Sequence, residues 1–303
     1  MNREISRQTS LYRDWLLASR PWSFAMTAIS IGVGGSLASM DGSFSWVLFF
    51  FTLVGAVFLH GATNLINDYY DVLRGVDSLE AATAKYRPHP LVEGKLLPRE
   101  VKKGAYILFL AGAAIGTGLA AARGWPILGL GIIGILASLA YTAPPVSYKY
   151  LALGEFTVFL MWGPLMVEGA YFVQIQAFSL DALWISIPFG LIVALVLLAN
   201  NLRDISHDKS RSIRTVAILL GAEKGFYLYA GLVVLAYASI PLLAGLKILP
   251  FWSLIVLFSL PLAVRIFRVM LRRIPDDADA RTAQLDTAFG ALLLISLIVE
   301  TLL

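Results

Sequence analysis

The chain has 303 residues, of which 58% are hydrophobic and 15% charged, with a net charge of +4 and no cysteine. A soluble domain carries about 25% charged residues, so this composition, with a mean hydropathy of +0.75, excludes an ordinary soluble protein and points to a polytopic membrane protein. The lack of cysteine excludes disulfides, thiolate metal sites and thiol catalysis.

Residues 1–14 are polar, with Arg3, Glu4, Arg7, Gln8, Arg13 and Asp14 among them. No small-residue cleavage site follows an early apolar core, so no cleaved signal peptide is expected. Apolar runs near or above the ~20 residues that cross a bilayer as a helix then follow one another. They place nine spans at 15–38, 46–68, 103–122, 126–142, 154–176, 183–202, 214–245, 249–270 and 284–302, the seventh opening on a polar, interfacial stretch. Short turns join spans one to two, three to four (Arg123-Gly124-Trp125-Pro126), five to six and seven to eight. The longer polar connections are 69–102, 143–153, 203–213 and 271–283. The expected fold is all-α: one membrane-embedded domain over 1–303 with nine transmembrane helices.

Of the 24 Lys and Arg residues, all but Arg123 and Lys247 fall on one side of this arrangement. Basic loops face the cytoplasm, so the amino terminus and the long loops are expected there. A basic rim also favours anionic lipid headgroups, which is the plain reading of Arg268, Arg272 and Arg273. The bilayer is thus an expected partner and nucleic acid is not.

Spans two and six end on matched acidic stretches, Asn64-Leu-Ile-Asn67-Asp68-Tyr-Tyr-Asp71 and Asn200-Asn-Leu-Arg203-Asp204-Ile-Ser-His207-Asp208. Each begins with an Asn four residues before an Asp and adds a second Asp about one turn on. On a helix, spacings of three and four put both carboxylates on one face. The recurrence suggests two four-helix units in parallel orientation, with the motifs facing each other across a central cavity at its cytoplasmic mouth.

Carboxylates this close repel unless a cation lies between them, and acids next to transmembrane spans carry function by default. Asp68, Asp71, Asp77, Asp204 and Asp208, with Asn64, Asn67 and Asn200 nearby, offer the all-oxygen donors that suit Mg²⁺. The competing reading is that these acids merely end helices, paired with Arg74 and Arg203; two matched motifs argue against it. Lys85, Arg87, Arg203, Lys209, Arg211 and Arg214 share the same loops, and acids ringed by cations suit a diphosphate. Arg20 and Lys149 can join them, lipid-headgroup contact being the alternative. An allylic diphosphate ionising in a bilayer cavity needs a dry pocket with aromatic faces. Tyr141 is the candidate, since it ends a span in Tyr141-Thr-Ala-Pro-Pro-Val-Ser-Tyr-Lys149. Glu168, near the middle of the fifth span, reads as a structural hydrogen-bonding acid, and His89 and His207 make a poor zinc case. A cation-coupled transporter is the competing class, but it would place its carboxylates near the midplane.

The strings Asn64-x-x-Asn67-Asp68-x-x-Asp71, Arg74-Gly75-x-Asp77 and Asn201-x-Arg203-Asp204-x-x-x-Asp208 resemble the paired Asp-rich motifs of the UbiA superfamily of intramembrane prenyltransferases. Arg87-Pro88 with Gly94, and Arg214-Thr215 with Gly221, fit as well, and the resemblance runs from Arg20-Pro21 to about Gly225. Ubiquinone-branch members usually carry an acid where Gly75 stands. Its displacement to Asp77, with Tyr141-Thr-x-Pro-Pro and Lys149-Tyr150-x-x-Leu153-Gly154-Glu155, is similar to the menaquinone branch, which acts on 1,4-dihydroxy-2-naphthoate. His207 departs from the pattern, standing where a carboxylate is common.

The resemblance implies that Asp68, Asp71, Asp204 and Asp208 bind Mg²⁺ bridging the diphosphate of a polyprenyl diphosphate, with Asn64, Asn67 and Asp77 supporting the first motif. It implies that Lys85, Arg87, Arg203, Lys209 and Arg214 neutralise the leaving group, that Tyr141 lies near the allylic carbon, and that an aromatic acceptor captures the cation. Acceptors of relatives with the same motifs, 4-hydroxybenzoate and geranylgeranylglyceryl phosphate, stay open as alternatives.

Overall fold

The structure is a computed structural model that describes residues 11–80, 82–211 and 213–303, with the side chains of residues 84 and 85 left aside. The expected polar amino terminus therefore lies outside the described residues over 1–10. Among the described residues, nine helices are long and apolar enough to cross a membrane. We label them α1 (Pro21–Met40), α2 (Trp46–Leu73), α3 (Pro98–Arg123), α4 (Trp125–Thr142), α5 (Gly154–Ile175), α6 (Leu180–Arg203), α7 (Val216–Gly245), α8 (Phe251–Arg272) and α9 (Ala278–Leu302).

Local chemistry sets where these helices begin. Ser45, Ser179 and Thr215 precede α2, α6 and α7, and their hydroxyls accept from the backbone N–H of Leu48, Ala182 and Ile218 at 3.4, 3.3 and 3.2 Å. Pro21 opens α1, where its missing N–H costs nothing, behind an Arg20 held at a φ of 56°. That left-handed residue separates α1 from a short helical segment over 11–18, so the first span starts at 21, where sequence reading expected 15. In the opposite sense, α2 runs past the expected end at 68 to Leu73. Its 28 residues measure about 42 Å, against about 30 Å of hydrocarbon. The surplus lets Asp68 and Asp71 stay helical while reaching the headgroup level.

The helices pair in a repeating way: α2 packs on α3 in the first half and α6 on α7 in the second, while α1 lies along α5. Helix α9 closes the bundle against α1, α6 and α8. Close backbone approach replaces the hydrophobic drive that lipid removes. A Cβ on Gly34 would stand 2.3 Å from the Val167 carbonyl oxygen, fixing α1 on α5. One on Gly190 would meet the Phe159 carbonyl at 2.9 Å, where α5 carries a π-turn over Met161–Leu165 around Pro164. The main core links α1 with α5–α9 through Val33, Phe189, Ile192, Tyr229, Leu285 and Phe289. A second core joins α2 and α3 through Leu65, Ile66, Val101 and Phe109. The ends of α2 and α6, the starts of α1 and α9 and the connection from Arg74 to Leu97 meet on one face, around the mouth of a cavity.

Candidate functional site

That cavity has a volume of about 1060 Å³. Its deeper wall is apolar, with Met26, Leu59, Leu130, Met161, Trp162 and Ala291. Arg20, Asn67, Asp71, Asp77, Arg87, Lys149, Asp204 and Asp208 surround its mouth. Both acidic motifs therefore reach one polar rim above one apolar hole.

In the first motif every carboxylate has a cation against it. Asp68 pairs with the Arg20 guanidinium, and His89 Nε2 stands 3.7 Å from its other oxygen. Asp71 accepts from Lys149 Nζ at 2.6 Å, from the Tyr150 hydroxyl and from Asn67 Nδ2 at 2.9 Å. Asp68 and Asp71 are both nearly inaccessible, so these contacts replace the water each carboxylate lost. Asp77 is brought in by a turn: Val76 N–H donates to the Asp71 carbonyl at 2.7 Å, with Gly75 at a φ of 67°. Burial opposes ionisation of Asp77, but the hydrogen bond from His89 at 3.2 Å and the charges of Arg20 and Lys149 outweigh it and hold its carboxyl below the usual range. Burial likewise works against the Lys149 charge, and the Asp71 carboxylate overrides it, raising the ammonium above its ordinary value.

The second motif is built differently. Helix α6 stops at Arg203, Asp204 leaves helical geometry (φ −94°, ψ 9°), and a short helix follows over Ile205–Ser210. Arg203 clamps Asp204 through two bonds, 2.8 and 2.6 Å long, and reaches the Asp279 carboxylate of α9 at 2.6 Å and the Tyr86 hydroxyl at 2.7 Å. Asp208 is buried, and among the described residues its carboxylate has no hydrogen-bond partner. Burial and the neighbouring Asp204 charge push it up to about 6. His207 Nε2 lies 3.0 Å from the Val76 carbonyl oxygen and ties the two motifs together.

The remaining sequence-predicted residues divide. Tyr141 and Arg87 line the cavity, with Lys149 Nζ 5.7 Å from the Tyr141 ring centre. Asn64 also lines it, but its amide donates to the Ser19 carbonyl at 2.8 Å and to Ser23 Oγ at 3.1 Å, fastening α2 to the start of α1. Lys209 and Arg214 are exposed and do not line the cavity; the Arg214 backbone instead bridges to Ala152 at 2.9 Å. The side chain of Lys85 lies outside the described residues. Glu168 accepts from Ser179 N–H at 3.2 Å at the start of α6, the structural use expected of it.

Sequence reasoning missed His89. Ligand atoms of Asp68, Asp77 and His89 all lie within 4.8 Å of one another, while Asp71, Asp204 and Asp208 belong to no such group among the described residues. Only the string Arg87-Pro88-His89-Pro90 hinted at a fixed loop there. Tyr86 and Asp279 were missed as well, because their partner Arg203 is far away in sequence. The donor set suits a divalent cation: Asp68, Asp77 and His89 offer ligand atoms within 4.8 Å of one another, Asp71, Asp77, Asp204 and Asp208 line the same cavity, and the Asp208 carboxylate has no hydrogen-bond partner among the described residues.

An apolar cavity inside a helical membrane bundle, ringed at its mouth by charged groups, defines the class: an intramembrane enzyme. The chain belongs to the UbiA prenyltransferase family, whose profile matches residues 27–293. It is therefore a multi-pass membrane prenyltransferase. It is 31% identical over 284 residues to UbiA prenyltransferase domain-containing protein 1 of Dictyostelium discoideum, covering 91% of this chain and 84% of that one. It is 28% identical over 290 residues to the 1,4-dihydroxy-2-naphthoate octaprenyltransferase of Bacillus subtilis, covering 94% and 92%. A UbiA homologue from Archaeoglobus fulgidus, solved bound to GPP and Mg²⁺, shares the fold with a TM-score of 0.62 at 16% identity, over 93% of this chain and 99% of that one.

Proposed function

We propose that this enzyme transfers a polyprenyl group from polyprenyl diphosphate to an aromatic acceptor, with 1,4-dihydroxy-2-naphthoate as its substrate in menaquinone formation. The observation that carries this reading is the cavity, whose single polar rim gathers both acidic motifs and their cations above an apolar interior. The Bacillus subtilis relative, which spans almost the whole chain, supports the naphthoate acceptor, and the magnesium-bound archaeal structure supports the metal. The one-sided Lys and Arg distribution supports a cell-membrane protein with its rim in the cytoplasm.

Asp68, Asp71, Asp77, Asp204 and Asp208 would hold Mg²⁺. When bound, it neutralises the diphosphate charge and so assists its departure. The chain's own groups do the rest. Arg20, Arg87 and Lys149 face the rim and take the charge that appears on the leaving diphosphate as the allylic C–O bond breaks. Arg203 is too occupied by Asp204 and Asp279 to do so directly; we assign it to holding Asp204 in place. The apolar wall keeps water from the carbocation, and the Tyr141 ring offers it a π face. The acceptor ring carbon then forms the new C–C bond and loses its carboxylate as CO₂.

Incubation of purified protein with polyprenyl diphosphate, 1,4-dihydroxy-2-naphthoate and Mg²⁺ should release diphosphate and CO₂ and give a prenylated naphthalene-1,4-diol. Turnover with 4-hydroxybenzoate or geranylgeranylglyceryl phosphate instead would refute the acceptor and keep the chemistry. No product with any acceptor would refute both.

A further inference from the structure

The cytoplasmic half of α8 carries Arg265, Arg268 and Arg272, spaced three and four apart and so on one helix face. All three are exposed, and none takes part in an ion pair or side-chain hydrogen bond among the described residues. No acidic residue occurs between Phe251 and Pro275. This contrasts with Arg20, Lys149 and Arg203 at the cavity, each of which has a carboxylate. The arginines share a groove of about 430 Å³ with Pro261, Val264 and Val269, on the outer surface and apart from the catalytic cavity.

Helix length places this face in the membrane. The segment Phe251–Ser259 is a 3₁₀-helix and Leu260–Arg272 an α-helix. At about 2.0 and 1.5 Å per residue they span about 37 Å, some 7 Å more than the hydrocarbon core. With Phe251 and Trp252 at the outer interface, the turn from Arg268 to Arg272 lies among the headgroups and Arg265 near the core boundary. An uncompensated guanidinium at that depth is costly, and a phosphodiester accepting from its paired N–H groups removes the cost.

The geometry points to a binding site for an anionic glycerophospholipid on the outer face of α8, its phosphate on Arg265, Arg268 and Arg272 and an acyl chain along Pro261, Val264 and Val269. A basic head joined to an apolar floor matches that molecule at both ends. The full chain in nanodiscs of phosphatidylcholine with a minority of phosphatidylglycerol tests it, by counting lipids retained per protein in native mass spectrometry. The wild type should keep phosphatidylglycerol in preference to phosphatidylcholine. Arg265→Gln, Arg268→Gln and Arg272→Gln together should weaken retention about a hundredfold, at about fivefold for each basic residue, with prenyl transfer in detergent within about twofold of the wild type.

Equal retention of the two lipids, or equal retention by wild type and variant, would overturn the site. So would a wild-type dimer that the variant splits with no lipid bound, since the face would then be a protein contact. Should the triple variant not fold, raising the salt about tenfold on the wild type should release phosphatidylglycerol. Retention unmoved by salt would sink the proposal just as surely.

Discussion

The ends of α2 and α6 carry nearly the same letters and solve the same electrostatic problem in different ways. At the end of α2 the helix continues through both acids, and each buried carboxylate has its own cation, Arg20 for Asp68 and Lys149 for Asp71. At the end of α6 the helix breaks at Asp204, one arginine clamps that acid from the adjacent position, and Asp208 is left buried with no hydrogen-bond partner among the described residues. The first motif is a neutralised platform. The second holds the unanswered negative charge, so a cation arriving at the rim gains most there. Around α2 the acids sit beside cations brought by other segments, Arg20 ahead of α1 and Lys149 between α4 and α5, whereas the short helix after α6 carries the less compensated acid, Asp208.

The largest effect should come from removing one carboxylate from either end. Asp71→Ala and Asp204→Ala are each expected to lower kcat by three orders of magnitude or more in the diphosphate-release assay, since single preorganised electrostatic groups are worth about 10²–10³ alone and these would also hold the metal. The two should differ in stability. Asp71→Ala strands the buried Lys149 ammonium, which costs about 3–5 kcal/mol when such a pair is broken, whereas Arg203 keeps Asp279 after Asp204→Ala. Thermal unfolding in detergent should therefore separate them. Equal melting temperatures would mean the Lys149–Asp71 pair is not the platform described above.

Next in size is His89→Gln. The imidazole stands 3.2 Å from Asp77 and 3.7 Å from Asp68, and partners of metal-binding groups typically change metal affinity about 10–100-fold. Half-saturating Mg²⁺ should rise by that factor with kcat at saturating Mg²⁺ nearly restored. Loss of kcat with unchanged Mg²⁺ dependence would move His89 out of the metal's surroundings.

The nine spans were legible because long apolar runs are a local signal, but their starts were not: the first, third and sixth were expected at 15, 103 and 183, whereas the helices open at Pro21, Pro98 and Leu180. The candidate acids were legible for the same reason, each being a short string at a span's end. What escaped was pairing across the chain. Nothing near Asn64 says that its amide will bind Ser19 and Ser23, and nothing near Arg203 says that Asp279 and Tyr86 will occupy it. His89 failed as a lone histidine and succeeded only once a turn at Gly75 brought Asp77 to it. Lys209 and Arg214, close to Asp208 in sequence, point away because the chain leaves the short helix Ile205–Ser210 before it reaches α7.

A pH titration sharpens the contrast between the two ends with a moderate effect. Asp208 is raised to about 6 by burial and by Asp204, above the ordinary aspartate value of about 3.9, so in the apo protein it is neutral below about pH 6 and charged above it. Two consequences have opposite signs. Apo stability from this group should be lost as pH rises from about 4 through 6, while Mg²⁺ affinity should fall as pH drops below 6, approaching tenfold per unit because one proton must leave for the metal to bind. Asp208→Asn should flatten both trends between pH 5 and 7, about one unit either side of that value. Asp77, held low by His89 and Arg20 once burial is outweighed, should stay ionised throughout, so a step surviving in Asp208→Asn would assign the titration elsewhere.

The smallest effect tests how the second motif is braced. The Tyr86 hydroxyl donates to the Asp279 carboxylate at 2.7 Å and accepts from Arg203 at 2.7 Å, which pins the connection between α2 and α3 onto α6 and α9. Tyr86→Phe removes these bonds but leaves the direct Arg203–Asp279 pair, so it should cost about 1 kcal/mol, a few-fold in local opening. Hydrogen exchange should quicken over residues 76–90 and at the start of α9, with little change in the α2–α3 pairing behind them. If exchange quickens equally around Asp68 and Asp71, the first motif depends on the same brace, and the platform at α2 is not independent of the clamp at α6.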